Sequence, residues 1–486
     1  MAGSAIGSAS DLLTACVASI LRGAITGKPC KRLAAAHHSS IDYKDEPDLP
    51  SSTELWMSAA FDVPIIGAGM AGLTAARVLA EQGLRVVVYE ARQRVGGRIF
   101  TLQPGPGAVE LGAEFIHGRP PELWQLAAEA DVLPQERTGD DLCFRDGKLS
   151  PCEALPNDGF QWIEALKNWN HPDCSFADYI RGTSASEATR TRLADYVEGF
   201  NAADQRVISA ASLGKQQAAE DAIEGDRAFH LDGGYSRIPD FLAGAVIRAG
   251  GQIATGTLVR AIAWKPGHAE LTLEHNGVVQ HTHAAKVLVT IPLGTLLAGS
   301  IAFQPRPETI LSAATQMRMG TVLRVVLEFR EPFWTAAAPG LAHDLEDANF
   351  LFTPAQLPPV WWTTPKNPLR LTAWIGGPRV AQFPRSQPAL HHALLASLGQ
   401  MLQTTPEALA PLFRQSFTHD WQRDPLAMGA YSYVAVDGAH ASAAMAEPVQ
   451  STLFFAGEHT DVTGHWGTVH GAMRSGLRAA AQIAQA

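Results

Sequence analysis

Long apolar runs and cysteines are both scarce in this 486-residue sequence. No run approaches the roughly 18 apolar residues that a membrane-crossing helix needs. The C-terminal "AAAQIAQA" carries no anchor or targeting tripeptide, so we expect no membrane partner. The cysteines are odd in number and form no CxxC pair, which indicates neither a zinc site nor a disulfide framework and favours a reducing compartment. They are Cys16, Cys30, Cys143, Cys152 and Cys174.

An excess of positive charge is also missing. The formal net charge is −10, and 46% of the residues are hydrophobic. Nucleic acid is not expected as a partner, because phosphate binding needs a basic surface. The composition is that of an ordinary globular protein, and the length favours two or more folded units.

The first 57 residues carry little information. They begin Ser- and Ala-rich and faintly resemble a transit peptide, although Asp11 and the missing basic start do not fit a secretory signal. We expect a poorly ordered N-terminal extension over residues 1–57. A cytoplasmic location is predicted, and the extension leaves an organellar or exported location open.

The stretch "DVPIIGAGMAGLTAARVLAEQGLRVVVYEARQRVGGRIFT" has the order of a dinucleotide fold. It predicts a strand at Val63–Ile66, a GxGxxG turn, a helix over residues 73–82 and a second strand over residues 85–89, with Glu90 at its end. This order of strand, glycine turn, helix, strand and acid is what a Rossmann-type site needs.

Each residue of the glycine motif has a physical role. Gly67 allows the tight turn, Gly69 lets the backbone reach a diphosphate, and Gly72 lets helix and strand pack closely. Ala71 belongs to the same motif as a cofactor-binding residue, and the N-terminus of the following helix faces the phosphates with free N–H groups. Glu90 is placed to accept from both ribose hydroxyls.

A second glycine pair follows in "EARQRVGGRIFT". Gly97 lets another backbone segment approach the diphosphate, and Arg92 and Arg98 can clamp phosphate. This extended fingerprint resembles that of FAD-binding amine oxidases and their relatives.

From residue 62 to the end, the sequence resembles the flavin amine oxidase superfamily, which includes monoamine and polyamine oxidases and the lysine-specific histone demethylases. Seven further stretches match in family order: "VELGAEFIHG", "LDGGYSRIPDFLAG", "GTLVRAIAW", "KVLVTIPLGTL", "LTAWIGGPR", "WQRDPLAMGAYSYVAVDG" and "LFFAGEHTDVTGHWGTVHGAMRSGLRAA". The resemblance implies an α/β fold. Its Rossmann-type FAD-binding domain, GR2-like and p-hydroxybenzoate hydroxylase-like, would be built from residues 58–125, 226–299 and 422–486. An α+β substrate domain would be inserted as residues 126–225 and 300–421.

The resemblance also implies further cofactor contacts. Gly112, Ala113, Glu114 and Phe115 would form a segment beside the flavin ring, and the backbone of Val259 would contact adenine. Glu458 would lie near the sugar. Thr468 and Val469 would begin the C-terminal helix, whose N-terminus would point at the flavin. Ala430 stands where monoamine oxidases carry the flavin-linking cysteine, so we expect non-covalent FAD.

Four residues are candidates for the chemistry. Arg324, in "GTVLRVVLEF", takes the place of a lysine that the family places near the flavin, although it could instead pair with Glu328 or another acid. Tyr431 would form an aromatic wall or support a strand pair. His117 would contact substrate and titrate near neutrality, or be structural. Thr468 would line the flavin or only cap a helix.

Three further positions leave alternatives open. Glu114 departs from the polyamine oxidase pattern, and could attract a cationic amine or accept backbone N–H groups. His465 or Trp466 could supply a second aromatic wall. Phe115 stands where L-amino acid oxidases would want an arginine, which disfavours amino-acid substrates.

The resemblance implies FAD-dependent oxidation of a polyamine or other secondary or long-chain amine, with dioxygen as acceptor and peroxide as product. No metal or protein nucleophile is needed, because the cofactor carries the chemistry. A flavin dehydrogenase or desaturase with another acceptor is the alternative, and a non-catalytic FAD-binding scaffold is a remote one. The oligomeric state stays open.

Overall fold

The computed structural model describes residues 61–486, except for 106, 146, 153–158, 336–344, 346–347, 354–356 and 365–366. The expected N-terminal extension therefore lies outside the described residues. Residues 60–486 form one compact unit.

A five-stranded parallel sheet lies at the centre of the cofactor half. Its apolar strands, such as "VPII" and "VVVY", are buried along their whole length, as expected for a sheet covered on both faces. In spatial order the strands are Gln252–Ala254, Val86–Tyr89, Val63–Ile66, Val287–Val289 and Leu453–Phe455. These five strands come from three separated stretches of the chain. The exact domain boundaries remain a prediction.

Helices Met70–Glu81, Arg237–Arg248 and Val469–Gln485 pack together with this sheet in one apolar core. Gly476 allows the closest approach, because a Cβ atom there would lie 2.4 Å from the carbonyl oxygen of Ala71. The remaining described α-helices are Pro121–Glu129, Gln161–Ala165, Phe176–Arg181, Glu187–Asn201, Ala210–Asp221, Leu293–Leu297, Glu308–Ala314, Gln387–Met401, Pro406–Leu409 and Ala441–Ala446.

A seven-stranded sheet forms the framework of the other half. Its strands, in spatial order, are Phe413–Thr418, Val322–Phe329, Asn367–Gly376, Val360–Thr364, Ala348–Phe352, Asp140–Arg145 and Lys148–Pro151. Helix Gln387–Met401 shares an apolar core with it. The strand Val322–Phe329 begins two residues into the quoted "GTVLRVVLEF", and its Arg324 contacts Gly112 and Glu114.

Smaller sheets complete the fold. Four strands form the spatial order Val278–Ala284, His268–His275, Thr257–Lys265 and Ala302–Gln304, and three form Ile116–His117, Ala228–Leu231 and Pro134–Glu136. Two pairs are Met317–Met319 with Ser432–Val434 and Thr101–Leu102 with Val109–Glu110.

The α/β class and the local order around the glycine turn agree with the prediction. The first strand has the predicted bounds, Val63–Ile66. The helix instead begins at Met70, three residues before the predicted start, because Gly69 is its N-cap and the last three residues of the motif already form the first turn. The spacing of apolar residues alone did not reveal this first helical turn.

The number and spacing of the cysteines indicated no disulfide framework, but Cys143 and Cys152 are bonded to each other, with Cα atoms 5.0 Å apart. Cys143 lies within strand Asp140–Arg145, and Cys152 directly follows its antiparallel partner strand, Lys148–Pro151. The Asp-Gly pair between these strands in the sequence is a hairpin signal that would have brought the two cysteines together. Among the residues that the structure describes, Cys174 is a free cysteine.

In the described part of the chain, no helix is both long and apolar enough to cross a membrane.

A buried ion pair between neighbouring strands gives a test of the fold. Arg370 is opposite Glu328, is 2% exposed and donates from Nε to the carboxylate at 2.8 Å. We expect Arg370→Met to lower the free energy of unfolding by about 3 kcal/mol, because it leaves a buried carboxylate short of a partner. Urea denaturation measures the loss.

The control is Arg260→Met, which removes the exposed cross-strand pair between Arg260 and Glu274. Such pairs contribute at most about 1 kcal/mol. Equal losses of unfolding free energy in the two variants would show that the buried Arg370–Glu328 pair stabilises the fold no more than an exposed pair does.

Candidate functional site

The glycine turn has the shape of a diphosphate cradle. Gly67 has a φ of +105°, and a Cβ atom at Gly72 would lie 2.0 Å from the carbonyl oxygen of Gly67. A Cβ atom at Gly69 would instead meet nothing within 4 Å, and no side chain caps the helix that Gly69 begins. Gly97 approaches from the second glycine pair, so that its Cβ position is 3.3 Å from the Gly69 Cα atom. The turn therefore presents open backbone to a ligand.

Glu90 joins the glycine turn to the second strand. Its carboxylate accepts the backbone N–H groups of Ala68 and Arg92, each at 2.8 Å. Burial raises the pKa of this carboxyl, although the two N–H groups oppose the shift. These hydrogen bonds hold the carboxylate of Glu90 at the end of the strand Val86–Tyr89, where a ribose would lie.

Sequence reasoning missed two residues that shape this turn. Arg94 donates to the carbonyl oxygens of Val95, Gly97 and Ile99, and so fixes the second glycine pair. Thr290 donates to the carbonyl oxygen of Ile66 at 2.8 Å. Thr290 stands in the quoted "KVLVTIPLGTL", but Arg94 carried no signal beyond its place between Arg92 and the glycines.

The two predicted phosphate-binding arginines are both committed to carboxylates. Arg92 pairs with Asp424 at 2.9 Å, and Arg98 pairs with Glu458 at 2.9 Å. Arg98 also donates to the carbonyl oxygen of Ala430, next to the aromatic wall. These pairs tie the fingerprint loop to the C-terminal part of the site. Asp424 was another partner that the sequence did not identify.

Glu458 organises the C-terminal segment. Besides Arg98, it accepts the hydroxyl of Ser432 and the backbone N–H of Gly467, the latter at 2.9 Å. Burial opposes ionisation of this carboxyl, but Arg98, His459 and Ser432 outweigh it, so its pKa lies below the ordinary value. Glu458 is therefore a charged anchor of the cavity wall.

One cavity of about 1550 Å³ joins the predicted cofactor and substrate residues. Gly72 is the exception, as expected for a glycine whose role is close packing. The predicted residues that line the cavity are Gly67, Gly69, Ala71, Glu90, Arg92, Gly97, Arg98, Gly112, Ala113, Glu114, Phe115, His117, Val259, Arg324, Tyr431, Glu458, Thr468 and Val469.

Arg324 and Glu114 form a buried ion pair in the cavity wall, with side chains 6% and 5% exposed. Arg324 also donates from Nη1 to the carbonyl oxygen of Gly112 at 3.0 Å. Of the alternatives left open, the structure thus shows a pair with another acid in the interior, whereas Glu328 pairs with Arg370.

Glu114 is therefore neither a free attractor of amines nor a simple acceptor of backbone N–H groups. Its carboxylate is also 3.2 Å from the indole nitrogen of Trp362. His230 lies on its other side, with Nδ1 3.5 Å from the carboxylate.

The expectation that His117 titrates near neutrality is wrong. Burial lowers its pKa to about 4, so the ring is neutral at physiological pH. The ring lies edge-on to Phe115 and Phe200, with centroids 6.1 and 5.4 Å away. His117 contributes a neutral, largely aromatic surface to the cavity.

Tyr431 lies in the cavity wall and is fixed at its far end. Its hydroxyl donates to the carbonyl oxygen of Phe200 at 2.7 Å, and burial raises its pKa. Gly467 makes room for the ring, because a Cβ atom there would lie 3.0 Å from it. Of the two candidates for a second aromatic wall, Trp466 lines the cavity. His465 is buried and is not part of the cavity lining.

Thr468 caps the C-terminal helix. Its hydroxyl accepts from the backbone N–H of Gly471 at 3.0 Å and donates to the carbonyl oxygen of His465 at 2.8 Å. The hydroxyl of Thr468 therefore both accepts and donates a hydrogen bond within the protein. The helix N-terminus at Val469 still borders the cavity, as the cofactor prediction requires.

Phe115 lies against a buried arginine that faces away from the cavity. Arg137 is centred 5.6 Å from the Phe115 ring, but its donors go to Asn349, Thr363 and His230. Its guanidinium is therefore not free to bind a substrate carboxylate with two N–H groups. The structure thus adds no arginine at the position where amino-acid oxidases need one.

Several carboxylates line the cavity beyond the glycine turn. Glu220, on helix Ala210–Asp221, is 8% exposed and its Oε2 atom has no hydrogen-bond partner among the described residues. Burial raises its pKa to about 7, while Arg474 opposes this shift. Further carboxylates in the wall are Asp141, Glu164, Asp195, Asp221, Glu224 and Asp226. Four of them form ion pairs, because Lys167 contacts Glu164 and Asp221, Arg379 contacts Asp195, and Arg227 contacts Glu224.

Glu220 also belongs to a group with metal-ligand atoms, together with His465 and His470, all within 4.8 Å of one another. Both nitrogens of His465 are already engaged, because Nδ1 accepts from Arg474 at 2.6 Å and Nε2 lies 3.1 Å from the carbonyl oxygen of Ala219. A cation beside Arg474 is also disfavoured by charge. This group does not indicate a metal centre.

Comparison with known proteins identifies the family. The family model for flavin-containing amine oxidoreductases matches residues 70–484. The chain belongs to this family. FAD is accordingly its cofactor, bound without a covalent link, in keeping with Ala430 at the linking position.

Two curated relatives illustrate the range of the family. Lysine-specific histone demethylase 1 homolog 2 of Oryza sativa subsp. japonica is 29% identical over 460 residues, which is 88% of this chain and 57% of that protein. Polyamine oxidase 2 of Arabidopsis thaliana is 26% identical over 477 residues, or 88% of this chain and 89% of that protein. The chain thus spans little more than half the length of the demethylase.

Solved structures share the fold. Putrescine oxidase bound to putrescine matches with a TM-score of 0.74 at 22% identity, covering 88% of this chain and 100% of that one. Cyclohexylamine oxidase from Brevibacterium oxydans matches with a TM-score of 0.73 at 22% identity, covering 88% and 99%.

The residues of the site fit FAD. The open space over Gly69 suits a diphosphate, and Glu90 is in place for the ribose.

Gly69→Ala and Gly72→Ala separate cofactor binding from packing. We expect Gly69→Ala to weaken FAD binding at least tenfold while the apoprotein keeps its melting temperature, because its φ of −77° suits alanine and the new methyl group projects into the cavity. Gly72→Ala should lower the melting temperature of the apoprotein, because its Cβ atom would overlap Gly67. Fluorescence titration with FAD and thermal unfolding measure the two effects. The reverse pattern would contradict the cradle.

Glu220→Gln tests the role of this carboxylate in the cavity wall. In the unaltered enzyme the KM for a cationic amine should fall as pH rises through about 7, because Glu220 gains its charge there. The variant should lose this step. Asp226→Asn, at the exposed rim, should retain it. A step that persists in Glu220→Gln would show that another group controls it.

Proposed function

We propose that this protein oxidises a polyamine or another secondary or long-chain amine, with dioxygen as the final acceptor and hydrogen peroxide as product. Membership of the amine oxidoreductase family supports oxidation of an amine. FAD supplies the redox chemistry by accepting a hydride. The size and charge of the cavity favour a long cationic substrate.

The observation that carries this proposal is the single cavity running from the glycine turn to the carboxylates beyond it. Its volume of about 1550 Å³ exceeds the range of about 300–1,000 Å³ that is usual for small-ligand pockets. There is thus room for a dinucleotide and an extended substrate. A small monoamine would leave much of this wall without contacts.

The wall can receive the amine as a cation and hold it for reaction as a neutral base. Carboxylates at the far end attract the charged form. Near Tyr431 and Phe115 the wall is aromatic, and burial there disfavours an ammonium ion and lowers the amine pKa. His117 is neutral and adds no repelling charge. The nitrogen lone pair is then available.

The reaction breaks the C–H bond beside this nitrogen, and the hydrogen leaves with both electrons. The nitrogen lone pair forms a C=N double bond. Water then adds to the carbon, and the C–N bond breaks to give an aldehyde and an amine. Dioxygen takes up two electrons and two protons to become peroxide. Within the site, the chain's own residues bind and orient the amine and exclude water.

The names of the relatives guide the choice of substrates. A polyamine oxidase and a putrescine oxidase support di- and polyamines. The histone demethylase relatives make a methylated lysine side chain a further amine to test, within the limit that the chain spans only 57% of one such protein.

The test is anaerobic mixing of the FAD-loaded protein with putrescine, spermidine, spermine, acetylated polyamines, an arylalkylamine and a methyl-lysine peptide. We expect loss of the flavin absorbance near 450 nm with at least one polyamine, followed by its return and peroxide formation on admitting air. Stopped-flow absorbance and a peroxide assay give the measurements.

Other outcomes identify the alternatives. Bleaching that air does not reverse would support a dehydrogenase or desaturase that uses another acceptor. No bleaching with any amine would contradict the proposal and leave a non-catalytic FAD-binding protein. Bleaching with the arylalkylamine alone would overturn the choice of a long substrate.

A further inference from the structure

The disulfide between Cys143 and Cys152 lies in the wall of the cavity, and both cysteines are half-buried there. Successive side chains of a strand point to opposite faces. Leu142 and Leu149, on the two strands of this hairpin, accordingly belong to the apolar core that the sheet shares with helix Gln387–Met401. The hairpin therefore has a packed side and a cavity side, and the disulfide is on the cavity side.

A row of cavity-lining side chains connects the disulfide with the cofactor half. Residues that pair across neighbouring strands point to the same face of a sheet, so the row can be followed from strand to strand. It consists of Arg324, Trp374, Val360, Phe352 and Cys143, each paired with the next. All five line the cavity. Four strand spacings of about 4.8 Å place the disulfide about 19 Å from Arg324.

Aromatic rings make this part of the wall continuous. The ring centroid of Trp362 lies 6.0 Å from that of Trp374 and 5.9 Å from that of Phe350. Phe350 and Phe352 follow, with centroids 6.1 Å apart. Aromatic faces suit both the methylene groups and the ammonium groups of an extended polyamine. A long amine can extend along this wall towards the disulfide, whereas a short one covers only part of it.

Arg145 favours opening of the disulfide by a thiol. Its Nη2 atom lies 3.9 Å from the sulfur of Cys143. A cation stabilises a thiolate, so Cys143 is the better leaving group when a thiolate attacks the sulfur of Cys152. With a dithiol as reductant, this attack forms a mixed disulfide with Cys152 and releases Cys143. The second thiol then displaces Cys152. The dithiol loses two electrons and becomes a disulfide, and its two protons end on the cysteines.

Opening the bond changes the wall without removing the hairpin. The strand Lys148–Pro151 is at the edge of the sheet, and the disulfide cross-links the residue that follows it to the neighbouring strand. The backbone N–H of Cys152 also donates to the carbonyl oxygen of Asp141 at 2.8 Å, and Leu149 lies in the core. The dithiol form thus keeps the hairpin, while the two sulfurs separate and the outer wall loses its cross-link.

We propose that the Cys143–Cys152 disulfide is a redox-controlled part of the substrate wall. While the bond is intact, the wall is fixed and the enzyme selects long amines. Reduction by a dithiol loosens the wall and weakens this selectivity. The proposal rests on the proposed function, because it concerns the length of the amine. The sulfurs lie too far along the row to take part in the oxidation of the amine itself.

The test compares spermine with an arylalkylamine in the FAD-loaded protein. The concentration dependence of anaerobic flavin bleaching gives the two dissociation constants. Reduced protein is prepared with dithiothreitol, which is then removed, and alkylation with mass spectrometry verifies the thiols of Cys143 and Cys152. We expect the ratio of the spermine constant to the arylalkylamine constant to rise about fivefold on reduction, because a loosened wall must be ordered again on binding.

Cys143→Ser should show the raised ratio without any reductant, and dithiothreitol should then have no further effect. Cys174→Ser is the matched control, because it removes a free cysteine that is outside the cavity lining. This control should respond to dithiothreitol as the unaltered protein does. The reduced, unaltered protein covers the case in which Cys143→Ser does not fold.

Two results would overturn the redox-controlled wall. The first is a ratio that stays within twofold in the reduced protein and in Cys143→Ser. The second is a protein in which Cys143 and Cys152 are alkylated before any reductant is added, since the bond would then be absent.

Spermine binding can also be measured without turnover, as the rise in melting temperature that spermine causes. If no amine bleaches the flavin but this rise is smaller in the reduced protein, the proposed function fails and the redox-controlled wall is retained. If polyamines bleach the flavin with the same ratio in both redox states, the wall fails and the proposed function is retained.

Discussion

Pairing of buried carboxylates with arginines is the constraint on which the site depends. A lone charged carboxylate in the interior is strongly disfavoured, and three carboxylates of the site find their cation in a distant part of the sequence. The pairs are Arg92 with Asp424, Arg98 with Glu458 and Arg324 with Glu114, at sequence separations of 332, 360 and 210 residues. Together they tie the glycine loops to the C-terminal segment and to the seven-stranded sheet.

This constraint also shapes the chemistry of the cavity. Charges near the glycine turn are mutually compensated, and the aromatic section adds neutral His117. The far end holds Glu220, one oxygen of which has no partner among the described residues. A cationic amine is therefore attracted at one end and meets an aromatic, charge-balanced environment at the other. Such a gradient suits a reaction that needs the neutral amine.

Local features were predictable because they depend on near neighbours in the sequence. The first strand and the glycine turn follow from backbone geometry within a few residues, and Gly72 meets Gly67 as its motif requires. The helix start was missed because the glycine motif supplies its first turn. The disulfide between Cys143 and Cys152 was missed because the cysteines were counted without pairing the hairpin strands.

The sequence by itself determined the family, the glycine cradle and the absence of a linking cysteine at Ala430. Only the tertiary structure decided that Arg324 pairs with Glu114, that His117 is neutral and that the Thr468 hydroxyl caps a helix. Turn geometry is set by adjacent residues, whereas charge compensation and pKa values are set by burial and by partners hundreds of positions away. Those partners become neighbours only when the sheets come together.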